Sequence, residues 1–310
     1  MLAGGPSCER EISLISGRAV FDALTAKGLS VFMMDPLGDF MAELKCRDIS
    51  VAFLALHGTF GEDGTIQRML EEAGIRYTGP GPRASELAFD KASTQRLLRD
   101  AGLTVPDFIV LEKGQKPPPV RPPFPFVVKP SKSGSSVGIS IVSKEEDYEG
   151  ALSEAFRYSD NVLIEQYIEG RELTVGVLGG EALPVGEIIA KRKFYDYEAK
   201  YKDSGTRYEF PAKLAPREAA ELSEAALRVC RVLGCEIMAR VDIILGTDGE
   251  PYVLEVNTIP GLTGKSLLPK AAQARGIDFP ELCVKILELS LWRRDEESRV
   301  TDGETYKSKI

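Results

Sequence analysis

The chain reads as a mixed protein, part α/β and part α+β, with more than one domain. Three observations predict this. The continuous apolar run Val51–Leu56 leads straight into the Gly-rich stretch His57–Gly64 and then into a segment of helical periodicity, the order of a buried strand, a loop and a helix. Two β-rich runs, 238–245 and 252–256, flank the turn signal Thr247-Asp248-Gly249, which predicts an antiparallel hairpin. The length, 310 residues, suits two or three domains rather than one small core.

Taken in order, Met1–Ala3 are followed at once by Gly4-Gly5-Pro6-Ser7. Such a turn follows a strand, so the first strand is expected to be truncated or to begin upstream of the given residues. Leu14, Val20, Phe21 and Leu24 give residues 13–27 the apolar stripe of a helix that stops at Gly28. Residues 31–34 read as a short strand. Ile66, Met69, Leu70 and Ala73 mark a helix over 65–73. The Gly/Pro cluster Tyr77–Pro82 then closes an α/β unit over residues 1–80.

Residues 84–101 read as one helix, and the proline-dense 117–125 as loop. Phe126–Pro130 is a strand that carries Lys129. The Gly/Ser-rich Ser131–Gly138 separates it from a strand over 139–142. That loop has the backbone N–H groups, hydroxyls and flanking lysines of a phosphate flap, and equally the composition of an ordinary turn. It is not a Walker loop. Strands follow at 162–168, 173–178 and 183–189. Residues 191–208 are polar, aromatic and unperiodic, a lid over something anionic or a mobile surface loop. An Ala/Leu-rich helix over 217–233 ends at Gly234, and a last helix over 280–292 places Trp292 in the core. The tail 294–310 has no hydrophobic pattern and is expected to be disordered.

Composition excludes several classes. Hydrophobic content of 43% and charged content of 28% are ordinary for a globular protein. A net charge of −8 argues against nucleic acid as a partner. No apolar run is long enough to span a membrane, so no membrane partner is expected. His57 is the only histidine and no CxxC pair occurs, which makes a zinc site improbable. Of the five cysteines, Cys230, Cys235 and Cys283 sit in helix-like or apolar surroundings and read as buried free thiols, which fits a reducing cytoplasm.

The chemistry concentrates in the hairpin. Side chains alternate along a strand, so Arg240 and Asp242 share one face of the first run, and Glu255 and Asn257 share one face of the second. Two carboxylates and an amide oxygen brought together by a hairpin make a hard oxygen set that suits Mg²⁺. Arg240 and Asp242 can also simply pair across i, i+2. The Pro/Gly turn Asn257–Thr263 directly afterwards lets backbone N–H groups approach a ligand.

At this point the blocks resemble a known family. R-x-D…E-x-N-T-x-P-G-x-T-x-x-S-L over 240–267 is similar to the C-terminal signature of the D-alanine–D-alanine ligases, members of the ATP-grasp superfamily. Five further blocks follow the family order: Gly4-Gly5-x-Ser7 with Glu9-Arg10-Glu11, HGTFGEDGTIQ at 57–67, Asp90-Lys91, KPSKSGSSVG at 129–138 and FYDYEAKY at 194–201. The resemblance implies a three-domain ATP-grasp architecture. Its parts are a Rossmann-like parallel-sheet domain over 1–80, a central subdomain over 81–166 and a catalytic subdomain over 167–293. It implies ATP and two Mg²⁺ ions, with Mn²⁺ as a substitute, D-alanine as substrate, and a homodimer.

By position, the resemblance assigns Lys129 and Lys200 to phosphates and Lys91 to the nucleotide pocket. It places Glu165, Gln166, Tyr167 and Ile168 along the adenine slot, with Glu172 on the ribose. Asp242, Glu255 and Asn257 hold the metals. Glu9 holds the first ammonium, and Ser135 and Tyr201 bond with it to close the lid. Arg240 and the Gly261 N–H stabilise the oxyanion, while Ser266 and Leu267 take the second carboxylate. His57 either serves the substrate or is a structural loop histidine. The alternatives within this resemblance are a ligase that uses D-lactate or another D-amino acid as acceptor, and a non-catalytic nucleotide-binding relative.

Overall fold

Leu2 sits in the middle of a parallel sheet. The computed structural model describes residues 1–47, 49–118, 121–134, 137–189 and 206–292. In it Leu2 bridges Met34 on one side and Leu54 on the other, and Ala52 bridges Tyr77. The Leu2 N–H donates to the Phe53 carbonyl at 2.8 Å, and the Met34 N–H to the Met1 carbonyl at 2.9 Å. Met1–Ala3 thus fill a central position paired along both edges. Helix α1 (Arg10–Ala26) packs on this sheet and starts three residues before the apolar stripe, just after Glu9; α2 (Phe40–Lys45) and α3 (Thr65–Glu72) follow it. Its Gly17 lies against Ala3 so closely that a Cβ would collide with the Ala3 side chain.

The core of this unit does not end at residue 80. Leu2, Leu24 and Phe53 share one cluster with Leu268, Leu282 and Ile286 from the last two helices, Leu267–Ala274 and Phe279–Leu291. The C-terminal helices therefore seat the N-terminal sheet on the rest of the molecule.

The helix expected over 84–101 is two helices, α4 (Pro82–Phe89) and α5 (Lys91–Asp100), broken at Asp90. Asp90 has extended backbone (φ −90°, ψ 97°), and its carboxylate accepts from the Ala92 and Ser93 N–H groups. An aspartate that caps the second helix cannot also continue the first.

Two antiparallel sheets follow. The smaller has the order β1-β4-β2-β3, from β1 (Phe108–Glu112), β2 (Phe126–Pro130), β3 (Ser140–Val142) and β4 (Asn161–Gln166). Phe126, Val128 and Ile164 of this sheet pack on α6 (Tyr148–Ala155). The larger has the order β10-β9-β5-β7-β8, with the short β6 (Glu181–Ala182) beside β5 (Gly170–Leu178). Its other members are β7 (Gly186–Ile189), β8 (Arg207–Glu209), β9 (Met238–Gly246) and β10 (Pro251–Asn257). The central strands β5 and β9 bury Leu173, Val175, Val241 and Ile243 against the helix Pro216–Leu233.

Trp292, expected in the core, is 83% exposed just beyond the last helix. The apolar stripe Leu282, Ile286 is already buried about three and two turns earlier, and Trp292 falls outside it. Cys230 and Cys283 are buried free thiols as expected, whereas Cys235 is half-buried and Cys8 and Cys46 are exposed. Among the described residues, no helix is long and apolar enough to cross a membrane. Residues 190–205, most of the expected lid, and the tail 293–310 lie outside the described residues.

Candidate active site

The hairpin forms as its sequence predicts. In the register of β9 with β10, Glu255 faces Asp242 and Asn257 faces Arg240, so all four polar side chains meet at one end. The register shifts between Val253 and Glu255, a bulge that re-aims the end of β10. Asp242 is the hub. Arg240 grips it with two bonds, Nε to Oδ1 at 2.9 Å and Nη2 to Oδ2 at 2.7 Å. The Thr174 hydroxyl donates to Oδ1 at 2.7 Å, and the Asn257 amide to Oδ2 at 3.1 Å. The i, i+2 pair is thus real, and it coexists with the oxygen cluster. Asn257 spends its N–H₂ on Asp242, which leaves its carbonyl oxygen as a donor to a metal.

Helix α5 brings the first lysine. Its N-terminus is tied to the loop after β2: the Lys91 N–H donates to the Ser131 carbonyl at 2.9 Å, and the Ser131 hydroxyl donates to Asp90. Lys91 Nζ then reaches the Ser133 carbonyl at 2.6 Å and lies 3.5 Å from Glu255. It therefore connects the Gly/Ser loop to the hairpin. Lys129 and Glu165 come from the neighbouring strands β2 and β4 and pair at 2.7 Å, with side chains only 6% and 3% exposed. Gln166 and Tyr167 are half-buried and Ile168 is buried at the end of β4, while Glu172 on β5 is half-buried.

The N-terminal unit supplies the acid side of the cleft. Glu9, just ahead of α1, is buried. A Cβ on Gly58 would stand 2.6 Å from Glu9 Oε2, and one on Gly134 would collide with the same oxygen. Only glycine allows the 57–58 turn and the Gly/Ser loop to approach that carboxylate from two sides. Glu62, in the loop after the apolar strand, accepts the Gly58 N–H at 2.7 Å. Its carboxyl is pushed up to about 8 by burial first and by the Glu9 charge next; the Gly58 bond and Arg240 oppose this, and Glu255 adds to it. Glu62, Lys91, Ser133, Gly134, Glu255 and Asn257 line one cleft where the three sheets meet. Such crowding of carboxylates raises proton affinity and favours any cation that enters.

His57 is placed differently. Its ring is buried, meets the Ser16 hydroxyl at 3.2 Å through Nε2 and hydrogen-bonds to the Ile259 backbone. Its carbonyl accepts the Ser7 hydroxyl at 2.6 Å. It joins the N-terminal loop to the turn after β10, and it is not among the residues that line the cleft. In that turn Ser266 bonds Thr263, hydroxyl to hydroxyl at 2.9 Å, and precedes the helix that begins at Leu267. A Cβ on Gly261 would lie 3.0 Å from Ser266 Oγ. Ser135, Lys200 and Tyr201 lie outside the described residues.

The family described as D-ala D-ala ligase C-terminus matches residues 97–288, and the one described as D-ala D-ala ligase N-terminus matches residues 34–80. The chain belongs to the D-alanine–D-alanine ligase family. Relatives named D-alanine–D-alanine ligase include that of Syntrophotalea carbinolica, 48% identical over 93% of this chain and 94% of its own length. That of Methylacidiphilum infernorum is 46% identical over 94% and 95%. The solved Bacillus anthracis ligase complexed with ATP superposes with a TM-score of 0.84 at 33% identity, covering 97% of this chain and 98% of its own. These neighbours bear out the ATP-grasp fold expected from the sequence.

Sequence reasoning assigned no role to Glu62, Thr174 or Gln95. Glu62 lies within the stretch 57–67, and its position between glycines after a buried strand is the available signal. Gln95 lies four residues after Lys91 on a helix, a spacing that puts both on one face. Thr174 reaches Asp242 only through the pairing of β5 with β9, which no local pattern reveals.

Proposed function

We propose that this chain joins two D-alanines to D-alanyl-D-alanine at the expense of ATP, for peptidoglycan precursor synthesis in the cytoplasm. The observation that carries this reading is the single cleft in which Lys91, the Glu255/Asn257 end of the hairpin and Glu62 converge beside Glu9. Family membership supports it. The domain division at 80 and 166, the homodimer and the individual residue roles belong to the same reading.

The first substrate's carboxylate oxygen attacks the γ-phosphorus, the bond to the β-phosphate oxygen breaks, and ADP leaves. The amine nitrogen of the second D-alanine then attacks the acyl carbon, and the C–O bond to phosphate breaks. Lys129 and Lys200 meet the phosphate charge, which builds up on oxygens that need cations, and Lys91 lines the nucleotide pocket. Glu165 to Ile168 line the adenine slot, and Glu172 takes the ribose. Glu9 holds the first ammonium, and His57 serves that subsite through the loop it anchors. Ser135 and Tyr201 close over Glu9, which keeps water from the acyl phosphate. Arg240 and the Gly261 N–H stabilise the oxyanion, and Ser266 with Leu267 receives the second carboxylate.

Asp242, Glu255 and Asn257 are hard oxygen donors already clustered, and they fit Mg²⁺, with Mn²⁺ as a substitute. Bound there, the metal neutralises phosphate charge. Arg240 must then loosen its two-bond grip on Asp242 and become free for the oxyanion.

The test is ADP release from the purified protein with MgATP, with and without D-alanine, and with L-alanine and D-lactate as alternative acceptors. D-alanine-dependent ADP release with one dipeptide per ADP is expected. ATP binding without turnover would overturn the reading.

A further inference from the structure

Helix α5 presents two polar side chains on one face, and the chemistry above uses only Lys91. Gln95, one turn later, is 0% exposed. Its Nε2 donates to Glu165 Oε1 and approaches the Leu254 carbonyl at 3.5 Å, at the bulge in β10 beside Glu255. Its Oε1 has no hydrogen-bond partner among the described residues. The amide orientation is fixed by chemistry, because a carboxylate accepts and only the N–H₂ end of an amide donates. Turned round, it would set two acceptor oxygens against each other. A buried amide with its donor satisfied and its acceptor orphaned is retained for the donor.

Glu165 is held from both sides, by Gln95 on Oε1 and by Lys129 on Oε2 at 2.7 Å. The two holders differ. Lys129 is a flexible cation that an incoming phosphate competes for. Gln95 sits on a helix whose start is fixed by the Asp90 cap and by the Lys91 N–H on the Ser131 carbonyl. When Lys129 turns toward phosphate, Gln95 is the side chain that, among the described residues, still holds Glu165.

We infer that Gln95 is a positioning residue for the nucleotide base: its amide holds the Glu165 carboxylate as the acceptor for the exocyclic amino group of adenine, and so sets the preference for ATP over GTP. This rests on the reading of Glu165 to Ile168 as the adenine slot. A 6-amino purine offers a donor to a fixed carboxylate. A 6-oxo purine offers an acceptor, and the two oxygens repel.

The test compares ATP and GTP as substrates of the full-length protein and of two variants. Gln95→Leu removes the donor and keeps the bulk. Gln95→Lys restores a donor and removes the orphaned acceptor. In Gln95→Leu the KM for ATP should rise about tenfold, the size of one charge-assisted hydrogen bond, and the ATP/GTP ratio of kcat/KM should fall by about the same factor. The kcat with ATP and the KM for D-alanine should stay within about twofold. Gln95→Lys should keep the ratio within about threefold of the parent. A merely structural role would lower the melting temperature and leave the ratio unmoved, and that result overturns the inference. So does a loss in Gln95→Lys as large as in Gln95→Leu. If Gln95→Leu does not fold, Gln95→Lys decides alone, and a tenfold fall in its ratio is the contradicting result. Failure of the ligase reading is distinct, since the parent protein would then turn over no D-alanine with either nucleotide.

Discussion

Asp242 is held by Arg240, Thr174 and Asn257 at once, and its pair with Arg240 is nearly closed to solvent, at 9% and 12% exposure. A substitution there therefore acts on both stability and chemistry. Asp242→Asn keeps the shape, removes the charge that answers Arg240, and takes away one of the proposed metal donors. Turnover should fall by at least about a thousandfold, and stability by roughly 3 kcal/mol, as when one partner of a buried pair is removed. Steady-state rates and a melting curve on the same sample check both. His57 makes a second prediction. Burial first, and the Arg240 charge as well, hold its pKa down at about 4, against the usual 6.5 and despite the Ile259 backbone bond. The folded pKa lies below the unfolded one, so this contribution to stability is complete above pH 6.5 and is lost as pH falls toward 4. The loss amounts to about 3 kcal/mol at most. His57→Gln should flatten the melting temperature across that window, and a parent protein whose stability is level from pH 6.5 to 4 would contradict the assignment.

At the scale of elements, α5 is the piece that ties the Gly/Ser loop to the hairpin, and its start depends on Asp90. Asp90→Ala removes the helix cap and the acceptor of the Ser131 hydroxyl. It should cost about 1–2 kcal/mol in unfolding. It should also raise the KM for ATP, because Lys91 and Gln95 both lie on the helix it starts. Equal losses of affinity for ATP and D-alanine would contradict a nucleotide-specific role for α5. This element also shows where the sequence was opaque. Helical spacing runs through 84–101 without a break, and an aspartate inside it has the same letter whether it is an exposed side chain or a cap. The strand Phe108–Glu112 was legible in principle, since the run Phe108–Leu111 is as β-rich as Phe126–Val128. The hairpin 238–257 was legible because turn chemistry and strand composition agree over a short span. The bulge that re-aims Glu255 was not, since it changes register without changing composition. Trp292 was read as core from its residue type, yet it lies beyond the buried face of the last helix.

Across the whole molecule, the cleft exists because loops from three sheets meet. The blocks at 57–64, 129–134 and 238–257 could each be read locally; their convergence could not, since it depends on the C-terminal helices seating the N-terminal sheet. Ligands that bridge these layers should stabilise the molecule as one unit. MgATP at about a hundredfold over its Kd should add about 2.7 kcal/mol, and D-alanine should add more only when a non-hydrolysable nucleotide is present. Thermal melting with each ligand alone and with both checks this. An additive response, with no dependence of D-alanine on nucleotide, would contradict a shared cleft.

Oxygen-18 transfer tests the acyl-phosphate route most directly. D-alanine labelled in both carboxylate oxygens is turned over with unlabelled MgATP, and phosphate and dipeptide are weighed by mass spectrometry. Attack of the carboxylate on the γ-phosphorus places one labelled oxygen in each phosphate released, and the new peptide carbonyl keeps the other. Phosphate without label, formed in step with dipeptide, would mean that water and not the substrate carboxylate attacks ATP, and the ligation chemistry assigned to this cleft would be wrong.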